Sequence, residues 1–308
     1  MKKIARVVVL IIIIIVFFVQ YFGEFLTVIN HLWYGYLNRA SQVINKSADI
    51  PRGLVTPFTF HSKLLGSDRT AYVYLPPLYQ SQQDSYPTLY LLHGFAGGPK
   101  DWLINAGLAE LLDELIAGGQ IPPLLVILLD GNGAKSNDSQ YQNATLINQP
   151  MEDHIVKELV PAIDSTFNTS TSSASRALGG ISTGAYGAVN LLVHNPNVFS
   201  SAISHSGYFL DNDPASKKLS GDDQAAYLYN SPLLYLPTLP SAPHIHIYFD
   251  VGQSDNQYLP VNQQFDALLT GLNIEHEFRA TSGWHTWGVW RTNLRLSLAW
   301  LGKIWRQQ

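Results

Sequence analysis

A serine stands between two glycines near the middle of the chain, in the sequence GISTG at residues 180–184. A serine hydroxyl can attack a carbonyl carbon when a sharp turn between a strand and a helix holds it exposed. Glycines two residues before and after the serine relieve crowding at such a crossing. The surrounding RALGGISTGAYGAVNLL passes from an apolar run to helix-like spacing. We therefore predict Ser182 as a nucleophile; the alternative is an ordinary glycine-rich turn.

A serine nucleophile needs a base to take its proton and an acid to orient that base. On a strand–turn–helix scaffold these partners follow in the order serine, acid, histidine. Asp255 follows an apolar strand pattern and a glycine in YFDVGQSDN, and His285 lies in GWHTWGVW after the last predicted strand. Asp250 is the competing acid, but it ends the strand itself, where a structural role is favoured. We predict Asp255 as the acid and His285 as the base.

The negative charge that develops on an attacked carbonyl oxygen needs two backbone N–H donors. We predict one donor in the amide of Thr183, directly after the serine. The second is predicted in the amide of Phe95, within the loop HGFAGG that follows the strand pattern TLYLL. This glycine-rich loop could instead bind phosphate, but it lacks the Gly-Lys-Ser/Thr ending of such loops.

Three residues beside these loops are predicted to contact the substrate: Gly94, His205 and Trp284. The end of the strand that carries His205 adjoins the predicted catalytic edge. Trp284 neighbours the predicted base and could shape a pocket for an acyl or aromatic group. Packing of the last helix explains this tryptophan equally well.

The remaining histidines favour structural interpretations. His154 is expected on a solvated face of a helix. His244 and His246 share one face of a strand, but no third ligand accompanies them, so no metal site is predicted. The predicted chemistry needs no cofactor.

These residues require a sheet whose strand ends meet along one edge, and the sequence predicts such a sheet. Alternating or continuous apolar segments predict strands at Val55–His61, Thr70–Leu75, Thr88–Leu92, Leu124–Leu129, Arg176–Ile181, Ser201–Ser206, His244–Val251 and Ile274–Ala280. Helical spacing of apolar residues predicts helices at Leu108–Leu115, Glu152–Phe167 and Val289–Trp305. Strands that alternate with helices indicate the α/β class, with a mostly parallel sheet and helices on both faces. The polar segment 131–150 predicts a functional or disordered loop.

Composition narrows the classes of function. The 308 residues carry a net charge of −4 and are 46% hydrophobic, which is ample for a buried core and argues against nucleic acid as a partner. The chain contains no cysteine, which excludes disulfides, thiolate metal sites and a lipoprotein-type lipid anchor.

The N-terminus predicts membrane attachment. Lys2, Lys3 and Arg6 precede a run of 13 apolar residues at 7–19, and no small-residue cleavage site follows it. We predict an uncleaved transmembrane anchor at residues 1–26, an interfacial linker at 27–51, and a catalytic domain at 52–308. The positive charges would hold the N-terminus in the cytoplasm and place that domain outside it. The alternative is secretion after cleavage of a signal peptide.

The chain resembles the esterase D and feruloyl esterase family of α/β-hydrolases, which includes enterochelin esterases, S-formylglutathione hydrolases and mycolyltransferases of the antigen 85 type. The resemblance covers residues 52–302, and its motifs, in family order, are YVYLPPLY, YPTLYLLHGFAGGPKDW, KELVPAIDSTF, RALGGISTGAYGAVNLLVHNPNVFSSAISHSG, DVGQSD and GWHTWGVW. It implies the α/β-hydrolase fold. It also implies the same nucleophile, base, acid and oxyanion donors as those inferred above.

Two positions depart from the family pattern. Thr183 stands where methionine is frequent, and Ala185 stands where glycine is frequent two residues beyond it. The change to threonine alters a pocket wall but keeps the amide donor. Segments 131–150 and 211–243 carry no subfamily signature.

The function predicted from these features is hydrolysis of a carbohydrate, lipid or small-molecule ester through an acyl-enzyme on the serine. An acyltransferase that replaces water with a sugar or lipid hydroxyl would use the same triad and is the first alternative. A non-catalytic binding protein that keeps the fold is the second.

Overall fold

A computed structural model describes residues 50–80, 85–133, 138–211 and 218–307. The strands are β1 (Leu54–Ser62), β2 (Ser67–Leu75), β3 (Thr88–Leu92), β4 (Leu125–Leu129), β5 (Asn143–Ala144), β6 (Gln149–Pro150), β7 (Arg176–Ile181), β8 (Ser201–His205), β9 (His246–Gly252) and β10 (Glu275–Thr281). The α-helices are α1 (Asp101–Ala106), α2 (Leu108–Ala117), α3 (Met151–Asp153), α4 (Val160–Thr166), α5 (Thr183–His194), α6 (Gln224–Tyr229), α7 (Pro232–Tyr235), α8 (Leu259–Gly271) and α9 (Trp287–Gln307). A π-helical turn at His154–Leu159 joins α3 to α4, and 3₁₀ turns lie at Ser173–Ser175 and Leu236–Thr238.

Eight of the strands in the described residues form one sheet of order β1-β2-β4-β3-β7-β8-β9-β10. β1 pairs with β2, and β2 with β4, in antiparallel fashion, whereas the pairs from β4 to β10 are parallel. This is the α/β-hydrolase-like fold that the sequence predicts. The opening antiparallel pair and the continuous apolar strands are confirmed, and β3 and β7 have the predicted bounds.

The central strands are buried on both faces because helices cover both sides of the sheet. Every residue of β3, β4 and β7 is buried. Along β3, Tyr90 and Leu92 enter one apolar cluster, while Leu89 and Leu91 enter the other. The first cluster includes residues of α5 and α8, and the second includes residues of α2 and α9. Both layers therefore fix the positions of the strand ends.

The prediction that His154 lies on a solvated helix face is wrong. Its side chain is 3% exposed, and its Nδ1 lies 3.0 Å from both the Ser62 Oγ and the Glu158 Oε2. The ring also stacks on Phe60 with ring centroids 5.5 Å apart. The hairpin of β1 and β2 covers this face of the helix, and the local helical pattern could not show that long-range contact.

The predicted anchor at residues 1–26 lies outside the described residues, as does the predicted linker except for residues 50 and 51. Across the part of the chain that the structure describes, no helix combines the length and the apolarity needed to cross a membrane.

Candidate active site

Ser182 lies at the turn between β7, which ends at Ile181, and α5, which begins at Thr183. Its backbone has φ 52° and ψ −118°, a conformation that costs free energy for a residue with a side chain. The Ser182 N–H donates to the His205 carbonyl at 2.9 Å, which ties the turn to β8. The strained turn holds the hydroxyl at the carboxyl edge of the sheet, as a nucleophile requires.

The two glycines that flank the serine are sterically required. A Cβ at Gly180 would lie 2.1 Å from the Gly184 carbonyl oxygen. A Cβ at Gly184 would lie 2.3 Å from the Leu92 carbonyl oxygen. Such distances are far inside van der Waals contact, so strand and helix can cross here only with glycine at both positions.

The structure brings the three predicted side chains together. His285 Nε2 lies 2.9 Å from Ser182 Oγ, and His285 Nδ1 lies 2.7 Å from Asp255 Oδ2. With Nδ1–H donating to the carboxylate, Nε2 is free to accept the serine proton. Asp255 is 5% exposed, whereas the His285 side chain is 30% exposed. The acid is thus sheltered, and the base faces the open side of the site.

A tight turn after β9 positions Asp255. Its N–H donates to the Gly252 carbonyl at 2.9 Å, and its own carbonyl accepts from Leu259 N–H, also at 2.9 Å. The competing acid, Asp250, lies inside β9, where its Oδ2 is 2.7 Å from His205 Nδ1. Of the two candidate acids, the structure therefore brings Asp255 to the predicted base.

Two aromatic rings enclose the His285 imidazole. Tyr258 lies 4.9 Å away between ring centroids, and Trp290 packs edge-on at 5.0 Å. The Trp290 indole N–H donates to Ser206 Oγ at 3.0 Å, which fixes its ring. Sequence reasoning assigned neither residue to the site. The signal for Trp290 is its place in GWHTWGVW, five residues after the histidine.

The loop after β3 lies directly against the nucleophile. A Cβ at Gly94 would be 3.4 Å from the Ser182 Cβ. The segment that carries Phe95 therefore lies beside Ser182. Thr183 is the first residue of α5, so its N–H has no acceptor within the helix and is available to a ligand. Both predicted oxyanion donors thus lie on segments next to Ser182, and their roles stay predictions.

The structure does not place His205 where a substrate could touch it. The side chain is fully buried, with Nδ1 on Asp250 and Nε2 3.2 Å from the Ser297 Oγ of α9. Its predicted role in substrate binding is therefore wrong, because its side chain faces α9 rather than the open edge. Trp284, in contrast, is 63% exposed next to the predicted base. Its substrate contact stays a prediction.

The "Putative esterase" family model matches residues 62–301. The chain belongs to this family. An endo-1,4-beta-xylanase/feruloyl esterase from Xylanibacter ruminicola is 31% identical over 49% of this chain, and an acetyl esterase from Caldicellulosiruptor saccharolyticus is 24% identical over 81% of it. The family and these relatives support a carboxylic ester hydrolase.

Coverage of the relatives is uneven. The match spans 21% of the xylanase/feruloyl esterase and 57% of a 23% identical protein from Corynebacterium glutamicum, but 98% of the acetyl esterase. Among solved structures, a ferulic acid esterase superposes with a TM-score of 0.73 at 22% identity, covering 82% of this chain and 99% of that one. An S-formylglutathione hydrolase from Agrobacterium tumefaciens gives a TM-score of 0.71 at 20% identity, covering 85% and 98%. At these identities the solved structures establish the fold alone.

Proposed function

We propose that this protein is a serine carboxylesterase. The observation that carries the proposal is the continuous hydrogen-bonded series from Asp255 through His285 to Ser182 Oγ, at 2.7 and 2.9 Å. His285 is the histidine proposed as the base, whereas His154, His205, His244 and His246 are not. Membership of the esterase family supports the reaction class.

In the proposed reaction Ser182 Oγ attacks the ester carbonyl carbon while its proton passes to His285 Nε2. The carbonyl oxygen becomes an oxyanion that the Phe95 and Thr183 amides stabilise. Loss of one such donor typically costs about 10²–10³ in rate. As the tetrahedral intermediate collapses, His285 returns the proton to the leaving alcohol, and the acyl group remains on Ser182. Water, deprotonated by His285, then attacks the acyl carbonyl and releases the acid.

The ester class is proposed from the relatives and from the surroundings of the site. The names of the relatives specify feruloyl and acetyl esters. The side chain of Phe95, whose backbone amide is the proposed oxyanion donor, is 65% exposed. The side chain of Trp284, next to the proposed base, is 63% exposed. Flat apolar surfaces of this kind suit an aromatic acyl group such as a ferulic acid ester. We propose feruloyl esters ahead of acetyl esters on this ground.

Location is a separate proposal. We propose that residues 1–26 anchor the protein in a membrane, with residues 52–308 outside the cytoplasm, because Lys2, Lys3 and Arg6 precede the apolar run. Washing membranes with alkaline carbonate should leave the full-length chain in the pellet. Protease added to spheroplasts should digest the catalytic domain. Release by the wash, or protection from the protease, would contradict the anchor or its orientation respectively.

The function is tested with a fluorophosphonate probe and a panel of feruloyl, acetyl, butyryl and longer acyl esters. The expected results are labelling and hydrolysis that both disappear in Ser182→Ala. Activity should fall at acid pH, because a protonated imidazole cannot accept the serine proton. A wild type that neither labels nor hydrolyses any ester would contradict the proposal. Ester product that exceeds free acid when an acceptor alcohol is added would favour an acyltransferase.

A further inference from the structure

The proposed oxyanion donor, the Phe95 amide, lies on the loop of residues 93–98, here called the oxyanion loop, which has few hydrogen bonds of its own. The Gly97 N–H donates to the Gly94 carbonyl at 3.1 Å, and the Gly98 N–H donates to Asp101 Oδ2 at 3.0 Å. Ala96 has φ 63°, an unfavourable conformation for alanine. Oxyanion donors act only when they lie about 2.7–3.1 Å from the developing charge. Something outside this loop must therefore hold it in place.

A second loop, residues 130–133 after β4, contacts the oxyanion loop at two points. The Asn132 side chain donates from Nδ2 to the Gly97 carbonyl at 3.0 Å. The Gly131 N–H donates to His93 Nε2, also at 3.0 Å. Because His93 Nε2 accepts this hydrogen bond, the ring carries its proton on Nδ1, which donates to the Gly94 carbonyl at 2.9 Å. The second loop thus forms hydrogen bonds with both ends of the oxyanion loop, at His93 and at Gly97.

A buried hydroxyl adds a third contact at the base of the oxyanion loop. Tyr141 donates from its hydroxyl to the His93 carbonyl at 2.7 Å. Burial raises the pKa of Tyr141 well above its usual value, so this hydroxyl keeps its proton and remains a donor.

Arg69, on the strand β2, holds the second loop. Its Nη2 donates to Asp130 Oδ2 at 2.9 Å and also to the Asn132 carbonyl. The Asp130 carboxylate in turn accepts from the Asn132 N–H through Oδ1 at 3.0 Å. The arginine side chain is 12% exposed and the aspartate 28% exposed, so solvent screens the pair only partly. The Arg69 guanidinium on β2 thus fixes the backbone that carries the Asn132 side-chain amide.

We propose that Arg69 and Asp130 are positioning residues for the oxyanion hole. The guanidinium fixes residues 130–132, Asn132 fixes Gly97, and the oxyanion loop then presents the Phe95 amide to the attacked carbonyl oxygen. This inference rests on the proposed serine esterase function. The competing interpretation is a salt bridge that only strengthens the junction of β2 and β4.

The first test is Arg69→Met, compared with Arg52→Met as a matched control. Arg52 also pairs with an aspartate, Asp113 at 3.7 Å, but it precedes β1. For Arg69→Met, kcat for a soluble ester should fall about 10- to 100-fold with little change in KM, because displacing a catalytic group by 1 Å can cost about 10²-fold. Arg52→Met should leave kcat unchanged. Arg69→Lys should restore part of the loss.

A boronic acid inhibitor separates positioning from stability. Boron adds to the serine hydroxyl, and one boronate oxygen occupies the oxyanion hole. If Arg69 positions the hole, the Ki of the boronate should rise by the same factor as kcat falls. A salt bridge of purely structural value would lower the melting temperature and leave the Ki of the folded enzyme unchanged.

Asn132→Leu provides a second variant in case Arg69→Met folds poorly, since it removes the Gly97 contact without changing any charge. It should reproduce the losses in kcat and boronate affinity. The double variant with Arg69→Met should lose little more than either single one, because both act through one contact. Unchanged kcat and Ki in both single variants, with Ser182→Ala inactive, would overturn the inference alone. Activity in Ser182→Ala would overturn the proposed function instead.

Discussion

At the scale of single residues, two buried aspartates meet two histidines with the same geometry. Asp255 Oδ2 lies 2.7 Å from His285 Nδ1, and Asp250 Oδ2 lies 2.7 Å from His205 Nδ1. The pairs differ in the partner of the other ring nitrogen. For His285 this partner is the hydroxyl of Ser182, whose backbone is strained. For His205 it is the hydroxyl of the buried Ser297 on α9. The first pair has the geometry that the proposed proton transfer needs, whereas the second pair links β8, β9 and α9.

Asp255→Asn and Asp250→Asn should therefore fail in different ways. Asp255→Asn should lower kcat about 10³- to 10⁴-fold because the amide no longer selects the Nδ1–H tautomer. Asp250→Asn should lower the free energy of unfolding by about 1–3 kcal/mol, since it disturbs a hydrogen bond between two fully buried side chains. Urea titrations and kcat per folded molecule measure both effects. If Asp250→Asn lost more kcat than Asp255→Asn, the assignment of the acid would be wrong.

The sequence predicts the role of residues that stand in a recognisable motif. It fails for residues whose surroundings depend on packing against distant parts of the chain. Ser182 and His285 stand in short segments whose spacing alone suggests their chemistry. His205 was placed at the correct strand end, but the face on which its side chain lies depends on α9, which comes 92 residues later at Ser297. Burial of His154 depends likewise on Ser62, 92 residues earlier.

At the scale of elements, the crossing of β7 and α5 against β3 depends on glycine. Gly184→Ala should abolish ester hydrolysis and lower the melting temperature, because its Cβ would lie 2.3 Å from a backbone oxygen that cannot move away without shifting β3. Gly271→Ala is the matched control, since a Cβ there would meet nothing within 4 Å at the end of α8. Gly271→Ala should keep wild-type activity. Full activity in Gly184→Ala would show that the crossing is looser than the structure indicates.

A second element-scale feature is the attachment of the β1–β2 hairpin to the π-helical turn. Glu158 accepts from Ser62 Oγ at 2.5 Å and from the Lys63 amide at 2.9 Å. Burial would raise the pKa of Glu158, but these hydrogen bonds, together with those from His154 and the Leu64 amide, hold it below its usual value. For His154, burial lowers the pKa by more than the neighbouring carboxylate raises it. Folding therefore favours the neutral form of the His154 imidazole and the charged form of the Glu158 carboxylate.

The sign of the pH dependence follows from these shifts. The unfolded chain binds a proton at His154 at a higher pH than the folded chain does, so stability falls as pH drops below about 6.5. Glu158 contributes its stability above its unfolded pKa and loses it only at lower pH. The melting temperature should therefore decline from pH 7.5 to 5, and His154→Gln should reduce that decline. His61→Gln, at an exposed ring, is the control; equal slopes in His154→Gln and wild type would contradict the assignment.

The elements show where pattern reading succeeds. β3 and β7 have the predicted bounds because continuous apolar runs are typical of strands covered on both faces. The sequence predicts a functional or disordered polar loop at 131–150, yet Asn143–Ala144 and Gln149–Pro150 pair within it as two short strands. The polar sequence of this segment also could not show that Gly131 and Asn132 hydrogen-bond to the oxyanion loop. Those contacts join residues that are 38 and 35 positions apart in the chain.

At the scale of the whole molecule, the proposed site exists because separate loops leave the same edge of one sheet. Ser182 follows β7, Asp255 follows β9, and His285 follows β10, while Gly94 and Phe95 follow β3. These strands are parallel, so their carboxyl ends lie along a common edge, where α/β proteins bind ligands. The order of residues in the sequence could therefore predict the site without any knowledge of distances. The distances depend on the two apolar layers that fix each strand.

This arrangement predicts that the catalytic unit works without the N-terminal segment. The residues proposed for catalysis and positioning lie between Arg69 and His285, inside the compact unit that begins at Ile50. A chain that starts at residue 50 should hydrolyse a soluble ester with kcat/KM within about twofold of the full-length protein, because the same groups meet the transition state. Only the full-length chain should sediment with membranes after an alkaline wash. A shortened chain that folds, by circular dichroism and thermal melting, but loses activity would show that residues 1–49 contribute to the site itself.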